Sequence, residues 1–286
     1  MFLSGRTPCR LSASRAASFV ASIAILTVLF AGPAAAQSTS PAPAAPAAGQ
    51  SEQEAQVPGL GRIFRAMPLD VWHFPSIETA QELGTGAALA FAAHSWDQAI
   101  ADEVAESPEF EQALQSLNTY GNTYGGFVTQ LGVGFAFYGI GRASDHPRLA
   151  LTGSDILRSQ VVAQVWTQAL KYTVRRERPD GSGHVSFPSG HSASAFATAF
   201  VLNNHYGWKA GLPAYVAAGI VATSRIRSNK HYLSDVVFGA AMGIASARTV
   251  TIPAGRRRVA VAPSMVPGGA AVMFEWLPAS RQPPRR

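Results

Sequence analysis

The 286-residue chain sets 23 Lys and Arg against 17 Asp and Glu, a formal charge of +6, and holds a single cysteine. So mild an excess, with no interleaving of basic and aromatic residues, favours anionic surfaces but gives no argument for nucleic acid. With only Cys9, an intramolecular disulfide is excluded.

In chain order, Arg6, Arg10 and Arg15 form a positive N-terminal region, Phe19 to Gly32 an apolar run, and Ala34-Ala35-Ala36 an A-x-A site. That is the pattern of a secretory signal peptide over 1–36, and the apolar run is short for a retained span. Cys9 lies too early, after Arg6-Thr7-Pro8, for a lipoprotein cysteine. The protein is therefore expected to be exported to the periplasm. Cleavage after Ala36 removes three arginines and no acids, so the charge falls to 20 − 17 = +3.

Residues 37–60, rich in Ala, Pro, Ser and Gln, read as a disordered linker. Residues 61–250 are expected to form one helical domain, without internal repeats and long enough for a sizeable core. Gly and Pro punctuation predicts helices near 77–104, 109–117, 123–141, 147–176, 190–205, 209–223 and 231–249. The most apolar stretches, 125–141, 211–223 and 236–247, fall short of the ~20 residues a span needs. They are expected to be buried core helices; the alternative is an integral membrane protein with these three as spans. After residue 250, alternation over 258–262, a Pro267-Gly268-Gly269 turn and a β-prone run to Leu277 predict a short hairpin within a basic C-terminal segment, 251–286. Nothing in the sequence sets an oligomeric state.

Three segments stand out within 171 to 235: Lys171 with Arg178-Pro179 (K-x6-R-P), Pro188-Ser189-Gly190-His191 (P-S-G-H), and Ser224-Arg225 with His231 and Asp235 (S-R-x5-H-x3-D). Alone, each has an ordinary reading: a solvated basic face that includes Arg175 and Arg176, a turn before a helix, or a structural His/Asp pair. Together they form a phosphate site. Arg178 offers a planar bidentate fork and Lys171 a point charge, here expected to share a helix face. Ser189 and Gly190 open a helix whose N–H groups and dipole favour an anion, with His191 in its first turn. His231 and Asp235 are expected one above the other on a helix, where the carboxylate fixes the imidazole tautomer and leaves the other nitrogen free as a nucleophile.

These segments resemble the three signature motifs of the type 2 phosphatidic acid phosphatase family, without gaps or substitutions, and the resemblance extends over about 75–250. That family shares an all-helical bundle with bacterial class A acid phosphatases and vanadium-dependent haloperoxidases. The resemblance implies that His231 attacks phosphorus, Asp235 holds His231, and His191 protonates the leaving alkoxide and later helps activate water. It implies that Lys171, Arg178, Arg225, Ser189 and Gly190 bind the phosphoryl oxygens, with no metal and no cofactor. The implied substrate is a soluble phosphate ester, a lipid phosphate or undecaprenyl diphosphate, and the short, polar-interrupted helices tilt the expectation toward a soluble or peripheral substrate with peripheral membrane contact. A vanadate-dependent haloperoxidase and a catalytically silent phosphate-binding module are the alternatives. His73, His94, His146 and His205 read as isolated; His184, in the loop beside the site, is a further candidate for touching substrate.

Overall fold

The computed structural model describes residues 57–106, 115–251, 257–266 and 269–278. The expected signal peptide and nearly all of the expected linker lie outside them. Among the described residues the helices are α1 (Leu60–His73), α2 (Ile77–His94), α3 (Asp97–Glu106), α4 (Gln115–Tyr124), α5 (Phe127–Ala143), α6 (Pro147–Val174), α7 (Gly190–Tyr206), α8 (Trp208–Arg227) and α9 (Leu233–Thr251). The bundle is all-helical, as expected. The expected hairpin falls on a segment whose side chains lie outside the described residues. A backbone ladder there pairs Arg257–Val266 with Gly269–Pro278; the hairpin stays an expectation, and nothing below rests on it.

Helix α9 sets the architecture. Between Asp235 near its start and Arg248 near its end its sequence is apolar on nearly every side, Val236, Phe238, Ala240, Met242, Ile244 and Ala245 included, so it is buried. Helices α2, α6 and α7 pack against it, α8 covers α7, α4 covers α8, and α1 and α5 cover α6. Buried in the main core are Phe196, Val162, Val221, Ala218 and Met242. A second cluster of Ile63, Met67, Tyr138 and Leu157 fastens α1 and α5 to α6.

Small residues let α9 approach α7 at backbone distance. A Cβ on Gly239 would lie 2.5 Å from the Ser189 carbonyl oxygen, and one on Gly243 would lie 2.1 Å from that of Ala193. This seam brings the start of α9 beside the start of α7, where the second and third segments meet.

Several boundaries differ from expectation. The run 77–104 is two helices, broken at Ser95–Trp96. Of the expected helix 109–117, residues 109–114 lie outside the described residues and 115–117 fall in α4, while α5 begins only after Gly125-Gly126. Helix α1 was not anticipated: Pro68 lies inside it and Pro75 follows it, and its buried stripe includes a charged residue, Asp70. Asp70 is matched by Arg158 of α6, at 2.6 and 2.7 Å. Of the three stretches weighed as spans, only the last falls in a helix long and apolar enough to cross a membrane, α9, and 89% of its most apolar window is buried inside the protein.

The seam makes a paired prediction. Gly243→Ala should destabilise the fold by about 1–3 kcal/mol through overpacking. Gly132→Ala, with nothing within 4 Å of the added methyl, should stabilise by ~0.5–1 kcal/mol through helix propensity. Urea unfolding of both variants against wild type measures the difference.

Candidate active site

The three segments meet at one end of the bundle. Helix α6 stops at Val174 because Arg175 adopts the left-handed conformation, φ 51°, so Lys171 lies in the last turn and Arg178 lies in the loop beyond. The expectation that Lys171 and Arg178 share a helix face is corrected; loop hydrogen bonds place Arg178. Its N–H donates to Gly183 O at 2.9 Å, and that of Ser186 to Arg176 O at 3.0 Å. Asp180 pairs with Lys230 and donates its N–H to Asn229 O at 3.2 Å, joining this loop to the turn before α9.

Three cations converge here. Lys171 and Arg225 are buried. Burial, reinforced by Arg178 and Arg225, lowers the Lys171 ammonium to about 8, while Asp235 partly opposes this. Burial and Arg178 likewise lower Arg225 to about 10. Lys171 Nζ donates to the Val185 carbonyl, and Arg225 to the Asn122 side-chain carbonyl on α4. The Nε–H groups of Arg178 and Arg225 are buried with no hydrogen-bond partner among the described residues. Such donors are costly to leave unmet, and like charges so placed attract an anion.

At the second segment, Ser189 caps α7 by accepting from Ser192 N–H at 3.4 Å. A Cβ added at Gly190 would meet only Thr167 Cγ2 at 3.7 Å and Lys171 Cε at 4.0 Å, ordinary contact distances. The protein alone would thus accept alanine there. His191 donates to the Asn122 backbone carbonyl, yet burial, Arg225 and His231 lower it to about 4.

At the third segment, His231 is not on the helix as expected. It lies two residues before α9 begins, in a turn closed by its N–H on Arg225 O at 3.3 Å. Asp235, at the third helical position, reaches back to accept from Tyr232 N–H at 2.9 Å, half of a capping box. Its Oδ2 lies 3.8 Å from His231 Nδ1, and that nitrogen is buried without a hydrogen-bond partner among the described residues. The pair is in register but outside hydrogen-bond length. Burial dominates at His231 and lowers it to about 4 despite Asp235. Both imidazoles are therefore neutral near pH 7.

Asp235 is wholly buried. Burial alone would raise its pKa; contacts from His231, Ser186, Arg176 and the Tyr232 N–H more than offset this and lower it. Ser186 Oγ donates to Oδ2 at 2.5 Å, and Arg176 donates to Oδ1 at 2.7 Å. The sequence pattern missed this group. In sequence Arg176 reads as part of a solvated face, although it lies only two residues before Arg178; Ser186 lies two before Pro188. Asp97 and Asn122 are distant in sequence and gave no signal. His94 and His205 are not isolated either: each lies 2.8 Å from a carboxylate, Asp97 and Asp155 respectively. His184 is exposed. Among the described residues, no group of three or more His, Cys, Asp and Glu is placed to hold a metal ion.

Comparison with known proteins gives the same region. Residues 153–258 match the family model of the PAP2 superfamily. A 77-residue stretch is 44% identical to "Lipid A 1-phosphatase" of Porphyromonas gingivalis, covering 26% of this chain and 17% of that protein. A 63-residue stretch is 35% identical to "Lipid A 4'-phosphatase" of Helicobacter pylori, covering 22% and 32%. Over 108 residues the chain is 35% identical to "Decaprenylphosphoryl-5-phosphoribose phosphatase" of Mycobacterium tuberculosis, covering 34% and 59%. The chain thus spans less than two thirds of each of these curated relatives. Among solved structures, a transmembrane PAP2-type phosphatidylglycerolphosphate phosphatase from Bacillus subtilis aligns with TM-score 0.40 and 20% identity, over 66% of this chain and 92% of that one.

The two imidazoles give a stability prediction. Each has an ordinary value of 6.5 and a folded value of about 4. Between these limits the unfolded chain binds more protons than the folded one, so stability falls as pH drops from about 6.5 to 4. Thermal unfolding across that window should show a declining midpoint, and His191→Asn should flatten the decline.

Proposed function

This chain belongs to the PAP2 superfamily, and from that premise we propose that it is a metal-independent phosphatase that hydrolyses a lipid-borne phosphate ester through a phospho-histidine. One observation carries the reading: Lys171, Arg178 and Arg225 converge with two buried N–H donors unmet, an arrangement that a phosphoryl group satisfies.

In this reading the phosphoryl oxygens lie among Lys171, Arg178, Arg225 and the N-terminal N–H groups of α7, with Ser189 as a further donor. Gly190 leaves room for the phosphate, since its surroundings already tolerate a methyl. His231 presents Nε2, because Nδ1 faces Asp235; an approach of roughly 1 Å brings the Nδ1–H to hydrogen-bond length of the carboxylate. Nε2 attacks phosphorus, the ester P–O bond breaks, and the departing alkoxide takes a proton from His191. Water then attacks the phospho-histidine while neutral His191 accepts its proton, the P–N bond breaks, and phosphate leaves.

A phosphoryl dianion entering between His191 and the cations opposes the effects that keep His191 deprotonated, so substrate and proton arrive together. His231, deeper and beside Asp235, stays neutral for attack. The cations supply the charge stabilisation for which other phosphatases use metals.

A lipid-borne substrate is supported by the names of the relatives and by exposed large apolar side chains, Trp72, Phe91, Val128, Tyr172 and Trp208 among them. Such side chains suit contact with a bilayer surface. Together with the signal pattern of residues 1–36, these features support an enzyme on the exported side, in contact with the membrane. It also revises the tilt toward soluble substrates drawn from helix length alone.

Rapid acid-free quenching with ³²P-labelled substrate should trap a base-stable, acid-labile phosphoenzyme in wild type and none in His231→Ala; label retained by that variant would exclude the nucleophile. A pH profile tests the acid. Because kcat/KM reports the free enzyme and kcat the complex, the basic limb of kcat should lie at higher pH than that of kcat/KM. Coincident limbs would show that substrate does not raise His191.

A further inference from the structure

The Asp97–Arg176–Asp235 chain is more than the motif chemistry requires. Arg176 extends one nitrogen to Asp235 Oδ1 and Ser234 Oγ, both at 2.7 Å, and the other to Asp97 Oδ2, also at 2.7 Å. Its guanidinium lies 4.1 Å from the ring centroid of Tyr232, the residue between His231 and α9. Asp97 is anchored in turn: its Oδ1 accepts from Ser234 N–H at 2.9 Å and its Oδ2 from Ser234 Oγ at 2.5 Å. The side chains of Asp97 and Asp235 are 3% and 0% exposed. One guanidinium thus serves two buried carboxylates, and one residue, Ser234, is gripped by both ends of the chain.

The geometry bears on His231. A carboxylate can rotate about its Cβ–Cγ bond, and only one of its oxygens faces the imidazole. With Oδ1 tied to Arg176, Oδ2 is left facing Ser186, the Tyr232 N–H and His231 Nδ1. Apart from the His231 contact, Arg176 forms the only ion pair of Asp235 among the described residues.

We infer that Arg176 is a positioning residue of the phosphoryl-transfer site, acting through Asp235 to orient His231, with Asp97 and Ser234 holding its guanidinium in place. The inference rests on the hydrolase reading above. Arg176 fills one of the unspecified positions of the first motif and touches none of the groups assigned to the phosphoryl oxygens, so its loss should affect turnover and not substrate affinity. A plain structural staple between α3 and α9 would instead lower stability and leave turnover per folded molecule unchanged.

Access to Arg176 makes a direct test possible. It lines an open cavity of about 360 Å³ with His94, Asp97, Gln98, Glu177 and Tyr232, so a small cation can enter once the side chain is removed. In Arg176→Ala, kcat should fall on the order of 10- to 100-fold, the effect typical of outer partners of a positioned histidine, with KM within about twofold. Millimolar guanidinium should restore part of that kcat and leave wild type unaffected. Arg176→Lys should retain more activity than Arg176→Ala. In an Asp235→Asn background, Arg176→Ala should cost little more, because its route of action is already broken.

An unchanged kcat in Arg176→Ala, a rise in KM alone, or fully multiplicative losses in the double variant would overturn the proposal. If Arg176→Ala does not fold, Asp97→Asn, which keeps the guanidinium but loosens it, is read in the same way. Imidazole ¹⁵N NMR of His231 needs no turnover and separates this inference from the hydrolase reading. A proton held on Nδ1 in wild type and shared between both nitrogens in Arg176→Ala supports positioning even if wild type hydrolyses no phosphate ester. Identical spectra overturn it.

Discussion

The wholly buried carboxylate of Asp235 joins all three segments. It takes Arg176 from the loop after α6, Ser186 from the approach to α7, and Tyr232 N–H from the turn before α9. Its backbone carbonyl accepts from Ser189 N–H at 3.0 Å, which fixes the start of α7 against the start of α9. A charge in that position is tolerated only because each oxygen is met. Remove the carboxylate and the loops lose their common attachment before any chemistry is considered.

The glycine seam makes this junction possible. Gly239 lies against Ser189 and Gly243 against Ala193, so two helices approach more closely than side chains would allow. The same contacts that bury α9 therefore carry the second segment to the third. Packing and site geometry are not separable at this end of the bundle, whereas the far end of α9 is tied to α2 by an ion pair of Arg248 with Glu82.

The sequence was most informative where chemistry constrains spacing. Lys171, Arg178, Ser189, Gly190, His191, Arg225, His231 and Asp235 stand in the three motifs, and the fold brings those motifs to one end of the bundle. Their local structure was less legible. Helical periodicity placed Arg178 and His231 on helices, but a left-handed Arg175 and the turn at 228–232 take them off, since such stops depend on hydrogen bonds with distant loops. Arg176 was indistinguishable from Arg175 in sequence: one is exposed, the other half-buried between two carboxylates, and only the arrival of α3 beside α9 decides which. Helix α1 was hidden for a related reason, its buried Asp70 being neutralised by Arg158 from 88 residues away.

The crowding of Lys171, Arg178 and Arg225 has a cost to the protein itself. Rigid helix ends and short loops hold these charges together, so their repulsion is carried as a permanent deficit in folding free energy. An oxyanion that enters removes part of that deficit, and mass action converts the relief into added stability. The fold thereby becomes a gauge of its own ligand. In the proposed hydrolase, product phosphate would share the advantage of substrate, and the grip that stabilises a folded molecule would also slow its next turnover.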